Sequence, residues 1–448
     1  MKLRNLMYAS MIACAFASCS KDDVPAPGPE GGDDANATLD VKVLSLDTKT
    51  TMPSLDNKIE TLKLVVFTPD NSGNYTVEVV GVAGGSGNSE RAVKAPVKPG
   101  VKKVLVLANY AGTISAGTTL DAVVGGVNSL TQDFTAENST NGFSMNSKIF
   151  NITVVPSKTN YLGYGKSEET TKEVFLNEAG DNTTDAVKLY RNVAKVRLDG
   201  ITFKVKSIAQ YPEAALDLKR VFILHAKNNT YVASVDAWGK TESGANLLIG
   251  ATAAEYKSIW VAYMEALNAD NSKRKAVYNY VASDVTVPTY TEEVAHTKDL
   301  TSVEVLANGG EYNIANTFYV YENTATKDGY QTLLVVEAAF SFKNTKGETK
   351  SYNRFYPVAV GENADFSKVK SNPDFTGRDY AGVLRNLAYG ITMTISGPGY
   401  ETPFGPKPDG EGPVDPEDPD KPSGGDTFLD TQVKVVNFGE VTQNPDIE

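Results

Sequence analysis

Side chains able to do chemistry are few in this chain. Cysteine occurs twice, at Cys14 and Cys19, and histidine twice, at His225 and His296, among 448 residues. His225 lies in the apolar run "FILHA" and His296 in the polar stretch "EEVAHTKD". A satisfied core imidazole and a surface one explain them more simply than catalysis does. With no spaced histidine pair and no thiol in the body of the chain, the usual zinc spacings are missing. There is no G-x-S-x-G, and "GGSGN" (84–88) reads as a turn. "NYLGYGKS" (160–167) ends like a phosphate-binding loop, but Asn160 stands where the first glycine must turn the backbone. The doublets Glu168–Glu169 and Glu292–Glu293 would point to opposite faces of a strand, so they read as solvated. "DNSGN" (70–74) is too short for a helix–loop–helix calcium site. Trp238, Trp260, Tyr278 and Tyr280 could form a sugar-stacking platform, yet they read more simply as core. No enzyme and no cofactor is expected.

One thiol has a chemistry of its own. "MKLRNLMYASMIACAFASCS" carries a basic start (Lys2, Arg4), an apolar stretch and small residues before Cys19, the pattern of a signal peptide. "FASC" resembles a bacterial lipobox, in which the cysteine thiol is acylated and becomes the first residue. The plainer alternative is an ordinary signal peptide with an incidental cysteine. The Pro-, Gly- and Asp-rich stretch directly behind Cys19 favours the anchor, because a tethered domain needs a leash. Cys14 would leave with the signal, so the mature chain would have no disulfide and would depend on its core. No other stretch is apolar and long enough to cross a bilayer. "CSKDD" (19–23) also resembles the acidic export tag of Bacteroidota surface lipoproteins, pointing to the outer face of the outer membrane.

The elements around these residues are mostly strands. A net charge of −12 argues against nucleic acid as a partner, and 41% hydrophobic content over this length predicts two domains. "IETLKLVVF" (59–67), "YTVEVVGV" (75–82) and "VKKVLVLANY" (101–110) read as strands. The last is apolar on both faces, Val104 and Val106 opposite Leu105 and Leu107, which predicts a central position. Residues 118–134 read as a short helix with a loop, weakened by a Gly pair, and 252–270 as the best helix of the second half. A long strand-type segment spans 186–206, followed by "KRVFILHA", "TLLVVEAAFSFKN", "SYNRFYPVAV" and "NLAYGITMTISGPG". The expected fold is mainly β: two tandem β-sandwich domains with minor helices. The expected divisions are a signal peptide (1–18), a tether (19–37), a first strand with its loop (38–58) and two domains (59–185 and 186–404). A Pro/Gly/Asp linker (405–425) and a C-terminal strand (426–448) follow.

That terminal strand is the most informative feature. "LDVKVL" (39–44) near the start and "LDTQVKVV" (429–436) near the end share one alternation. Leu39, Val41 and Val43 line one face of the first; Leu429, Thr431, Val433 and Val435 line one face of the second. Coincidence is the bland explanation, since V-K-V is common in half-buried strands. Their placement at the two extremes of the folded chain, each beside turn-forming sequence, suggests instead two strands that compete for one groove.

At these residues the chain resembles the Bacteroidales fimbrillins, the stalk subunits of type V pili, and most closely the short-fimbria (Mfa-like) type. The resemblance rests on "FASCSKDD", "KKVLVLAN", "RNVAKVRLDGITF", "RFYPV", "LRNLAYGITMTISGPG" and the tail "DTFLDTQVKVV", in that order. It implies transthyretin-like sandwich domains and assembly by strand exchange. A lipoprotein precursor lipidated at Cys19 would reach the surface, and a protease would remove the first strand (Leu39, Val41, Val43). The groove would then take the donor strand (Leu429, Val433, Val435) of a neighbour. The family's arginine-specific cut has no counterpart here, because no arginine lies between Arg4 and Arg91; Lys49 is the nearest basic residue in the matching loop. The implied partners are identical subunits in a homopolymer, anchor and tip fimbrial subunits, the outer membrane through the lipid, and an unidentified adhesion target. The alternatives are a tip or accessory subunit, or a surface glycan-binding lipoprotein.

Overall fold

The computed structural model describes residues 35–45, 58–84, 90–129, 142–164, 174–176, 187–227, 229–233, 247–249, 290–291, 297–313, 316–323, 331–361, 364–367, 382–403, 418, 420–422 and 429–437. Cys19, Lys49, both tryptophans, Tyr278, Tyr280, the carboxylate doublets, His296 and the helix expected at 252–270 lie outside them. Among the described residues strands dominate, as the alternating sequence predicts.

The first domain is built from β1 (Ala37–Ser45), β2 (Thr61–Pro69), β3 (Tyr75–Gly84), β4 (Glu90–Val97) and β5 (Gly100–Ala108). After the helix α1 (Leu120–Val124) come β6 (Val127–Ser129), β7 (Met145–Asn146), β8 (Phe150–Val154), β9 (Thr159–Leu162), β10 (Val174–Leu176) and β11 (Val187–Arg191). β1, β4, β9 and β10 form one layer and β2, β3, β5, β7 and β8 the other, with β11 pairing both β1 and β7. Leu39, Val41, Val43, Val93 and Ala95 of the first layer share a buried cluster with Leu62, Leu64, Val104 and Val106 of the second. The reverse face of the second layer packs Val65, Phe67, Leu105 and Leu107 against α1 and Val232. β5 is therefore central, as its two apolar faces predict. Of the helix and loop read at 118–134, the described residues up to 129 hold one short helix of about a turn and a half: the Thr119 hydroxyl caps it at the Ala122 amide (3.2 Å), and Gly125 ends it. "DNSGN" is the β2–β3 turn, in which the Asp70 carboxylate accepts from the Ser72 and Asn74 amides, each at 2.8 Å.

The second domain comprises β12 (Val193–Phe203), β13 (Ala215–Lys227), β14 (Asn229–Tyr231), β15 (Leu247–Ile249), β16 (Tyr290–Thr291), β17 (Thr297–Asp299) and β18 (Leu306–Ala307). It continues with β19 (Glu311–Tyr312), β20 (Asn316–Tyr321), β21 (Leu333–Lys343), β22 (Thr349–Ala359), β23 (Leu387–Ile395) and β24 (Leu429–Asn437). One sheet runs β19-β12-β23-β24, with β20 also on β12. The other runs β16-β15-β13-β21-β22, with β17 and β18 also on β13. Val196, Leu198, Ile391 and Met393 of the first face Leu216, Val221, Ile223 and Val336 of the second in one buried cluster. β14 reaches across to pair with β6 of the first domain.

Two expectations need correction. The 186–206 segment is not one strand. It breaks at Asn192, leaving β11 in the first domain and β12 in the second, so the boundary read between 185 and 186 moves to Asn192. Both halves alternate, and only the sheet they join distinguishes them. The linker expected at 405–425 is not free of contacts, since Asp418, Asp420 and Pro422 are fastened to the second domain. Tyr352 donates to Asp418 (3.1 Å), Asn344 to Asp420 (2.8 Å) and Arg354 to the Pro422 carbonyl (3.2 Å). Carboxylates spaced two apart met polar side chains on the β21–β22 hairpin, which composition alone does not reveal.

His225 sits fully buried in β13 with a positive φ of 57°, its Nδ1 3.1 Å from the Gln331 carbonyl. Burial pushes its pKa down to about 3, against a smaller opposing pull from that carbonyl. The unfolded chain regains an ordinary imidazole near 6.5. Between these values only the unfolded state takes up the proton, so stability is complete above 6.5 and falls as pH drops towards 3. The slope approaches about 1.4 kcal/mol per pH unit. Urea unfolding between pH 7 and 5, a window that largely avoids carboxylate titration, should show this decline. In His225→Asn, whose side chain tolerates the left-handed backbone, the decline should flatten.

Candidate functional site

β1 is an interior strand. Eight residue pairs join it antiparallel to β4, from Ala37↔Val97 to Leu44↔Glu90. On its other edge four pairs run parallel to β9 (Thr38–Val41 with Thr159–Leu162) and three parallel to β11 (Val43–Ser45 with Val187–Leu189). Leu39, Val41 and Val43 are each 0% exposed, so the sequence-derived face is the buried one. Lifting β1 out would leave a slot with an apolar floor and unpaired backbone on both walls.

The segment dismissed as a broken phosphate loop forms part of that wall. Asn160 of β9 ties the Thr38 (3.4 Å) and Lys158 (3.2 Å) carbonyls to the slot's rim. Gly163 stands at the fork where β1 leaves β9 for β11. Its φ is +82°, and a Cβ there would lie 2.4 Å from the Lys42 carbonyl oxygen and 2.8 Å from the Val187 amide, so only glycine fits. Next to it, Tyr164 turns its hydroxyl to Asp40 Oδ1 (2.6 Å), while Lys94 Nζ reaches Asp40 Oδ2 (3.2 Å). Asp40 is only 2% exposed, unusual for a carboxylate on the outward side of a strand. Lys42 Nζ lies 5.9 Å from the Tyr164 ring centroid. The sequence held a signal for this pocket, the Leu-Asp step common to both strands, but no sequence pattern pointed to Tyr164 or Lys94.

The tail strand is ordered and sits elsewhere. β24 pairs antiparallel with β23 through nine residue pairs, from Leu387↔Asn437 to Ile395↔Leu429. Val433 (7% exposed) and Val435 (1%) enter the second domain's core, and Leu429 packs against it half-buried. Asp430, Gln432 and Lys434 face outward, as alternation predicts. On the outer edge Asp365 bonds to the Val433 carbonyl (3.0 Å) and the Val435 amide (3.2 Å). The first strand and the tail strand thus occupy different domains of the single chain.

Between the domains two Arg-Asn dipeptides cross. Arg191 donates through its amide to Asn386 Oδ1 (3.0 Å), and Arg385 donates to Asn192 Oδ1 (2.9 Å). Arg385 also reaches Asn146 of the first domain (3.4 Å) and Thr230 of β14 (3.0 Å), and it pairs with the fully buried Glu322 (2.7 Å). Each dipeptide directly precedes one of the parallel neighbours β12 and β23. This clasp ties the wall of the slot to the dock of the tail.

The chain is thus built of two β domains, one closed around its first strand and one carrying the tail strand on its edge. Residues 37–191, the span from β1 to β11, match the family model for the major fimbrial subunit protein (FimA). Over 427 residues the chain is 27% identical to the major fimbrium subunit FimA type-5 of Porphyromonas gingivalis, covering 91% of this chain and 94% of that one. Two solved structures share the fold. A candidate cell adhesion protein from Parabacteroides distasonis has a TM-score of 0.57 at 22% identity, covering 90% of this chain and 98% of its own. A fimbrilin from Porphyromonas gingivalis has 0.56 at 17%, with the same coverage. The family match thus covers the first domain, and the likeness to the fimbrium subunit runs along most of the chain. The matched family and relative are of the FimA kind, and the short-fimbria subtype gains no specific support from them.

Proposed function

We propose that this chain is a fimbrillin, a stalk subunit that polymerises by exchanging its first strand for the tail strand of a neighbour. The observation that carries this reading is β1 itself, an interior strand at the start of the described chain whose removal opens a slot matched in alternation by β24. Export would proceed through a precursor anchored in the outer membrane by acyl chains on Cys19. A cut within 47–58, with Lys49 the basic residue that follows β1 most closely in sequence, would free the strand, since polar segments of this kind are favoured cleavage sites. The filament would be a surface homopolymer that meets anchor and tip subunits and serves adhesion. A tip or accessory role would need the slot but not a donor, so the ordered tail favours the stalk.

Relative pairing gives the direction of exchange. The slot pairs its occupant on both edges, whereas β24 in its own domain has one full edge and, among the described residues, Asp365 alone on the other. Each additional backbone bond is worth about 0.5–1.5 kcal/mol net. Against this stands the tail's attachment to its own domain. A millimolar effective concentration against a micromolar neighbour is roughly a thousandfold, or about 4 kcal/mol. Several bonds on a second edge offset that. Before the cut, β1 fills the slot intramolecularly and no exchange occurs. The experiment is assembly of processed chain with and without residues 426–448: filaments should form only when the tail is present.

A further inference from the structure

We propose that Tyr164 and Lys94 form a carboxylate-reading pocket that fixes the register of the incoming strand, receiving Asp430 of a second copy of this chain where Asp40 now sits. The inference rests on the strand-exchange reading and adds to it the residue pair that aligns donor and slot.

Two registers satisfy the alternation. In the first, Leu429 follows Leu39 and Asp430 follows Asp40, so Thr431 and Val433 take the places of Val41 and Val43. In the second, shifted by two residues, the V-K-V steps coincide: Val433 and Val435 replace Val41 and Val43, and Thr431 replaces Leu39. The slot discriminates between them by volume. Leu39, Val41 and Val43 are each 0% exposed and Ala37 is 7% exposed. The first register places leucine on leucine, valine on valine, and a threonine of valine's shape on Val41. The second would leave a hole where Leu39 was and force Leu429 into the space of Ala37, which combines a cavity with overpacking.

The pocket discriminates by charge in the same direction. Asp40 is almost wholly buried, and its two oxygens are separately engaged by the Tyr164 hydroxyl at 2.6 Å and by Lys94 at 3.2 Å. Removing β1 would leave this hydroxyl, on a residue 8% exposed, facing an empty carboxylate position. The first register returns a carboxylate to it; the second offers the Gln432 amide. In the parked tail Asp430 is exposed on the outward face of β24, and among the described residues no ion pair engages it. The shared Leu-Asp order also makes the donor run in the direction of β1, antiparallel to β4.

Cysteine pairs across β4 read the register. Ala92 is the direct partner of Lys42. In the first register Gln432 takes that place, and in the second Lys434 does. Filaments of processed Ala92→Cys/Gln432→Cys chains should form disulfide-linked ladders, and those of Ala92→Cys/Lys434→Cys should not. Ladders only in the Lys434 pair would overturn the register while leaving strand exchange standing. Filaments that cross-link in neither pair would overturn strand exchange and the pocket with it. Independently, Asp430→Asn should slow assembly by roughly 10- to 100-fold, the range expected for losing a hydrogen-bonded charge. The unfolding midpoint of the uncut chain should not move. Assembly of Asp430→Asn at the wild-type rate would overturn the pocket.

Discussion

Replacing Val433 and Val435 with aspartate should abolish filaments and loosen the second domain of the single chain. The first effect follows from the apolar floor of the slot, where an unpaired carboxylate is strongly unfavourable. The second follows from the parked tail. Both valines lie in the cluster around Tyr389, Ile391 and Met393, and each contributes about 1.5–3 kcal/mol through burial. Exchange alone would predict a variant that folds as wild type, but the docking of β24 on β23 predicts that it does not. The loss is capped at the free energy of docking, because once the tail lets go nothing more is forfeited. The unfolding midpoint should fall by roughly 5–15 °C. A chain ending at Gly425 should match both the shifted midpoint and the lack of polymer. Differential scanning calorimetry and electron microscopy of processed material measure the two effects separately. A double variant with an unshifted midpoint would place the tail outside the second domain's core.

Arg385→Ala should be the most damaging single change within the body of the molecule. The guanidinium and Glu322 are both 0% exposed, and deleting one partner leaves an uncompensated charge inside, at a cost of about 3–5 kcal/mol. Asn192 and Thr230 lose their donor as well. Lysine should not rescue it, since one ammonium cannot reproduce a planar fork spread over partners from both domains. Urea midpoints should drop sharply for both variants. Lys343→Ala, by contrast, breaks a pair whose members are 41% and 67% exposed, and it should stay within about 0.5 kcal/mol of wild type.

Local pattern made much of this molecule legible. Alternation in "LDVKVL" identified the buried face of β1, and the double apolar face of "KKVLVLAN" placed β5 in the middle of its layer. What alternation does not encode is the neighbour. β11 and β12 read as one strand because both alternate, and the sheets they join diverge at Asn192 through contacts with residues far along the chain. The tail was recognisable as a strand, yet the same pattern fits the edge of β23 and the slot of β1 equally well. The Arg191–Asn386 and Arg385–Asn192 pairs connect dipeptides nearly two hundred residues apart. Nothing in either dipeptide announces the other. Gly163 and Tyr164 stood inside "NYLGYGKS", where the search for a phosphate loop drew attention to the missing first glycine. The glycine that was present had the structural reason to be there.

The 21 residues from Gly405 to Gly425, if released from the β21–β22 hairpin and extended, would reach roughly 65 Å at about 3.1 Å each. That is ample for a tail to leave one subunit and lie in the next. A single mixing experiment tests this most directly. Processed wild-type chain is combined with increasing amounts of processed chain ending at Gly425, and filament length is measured by electron microscopy. The shortened chain keeps an intact slot and lacks a donor, so it should accept one wild-type tail, sit at a filament end and shorten the filaments in proportion to its share. Alone it should form none. If the shortened chain polymerises as well as wild type, or mixes in without changing filament length, the tail is not the strand that joins the subunits.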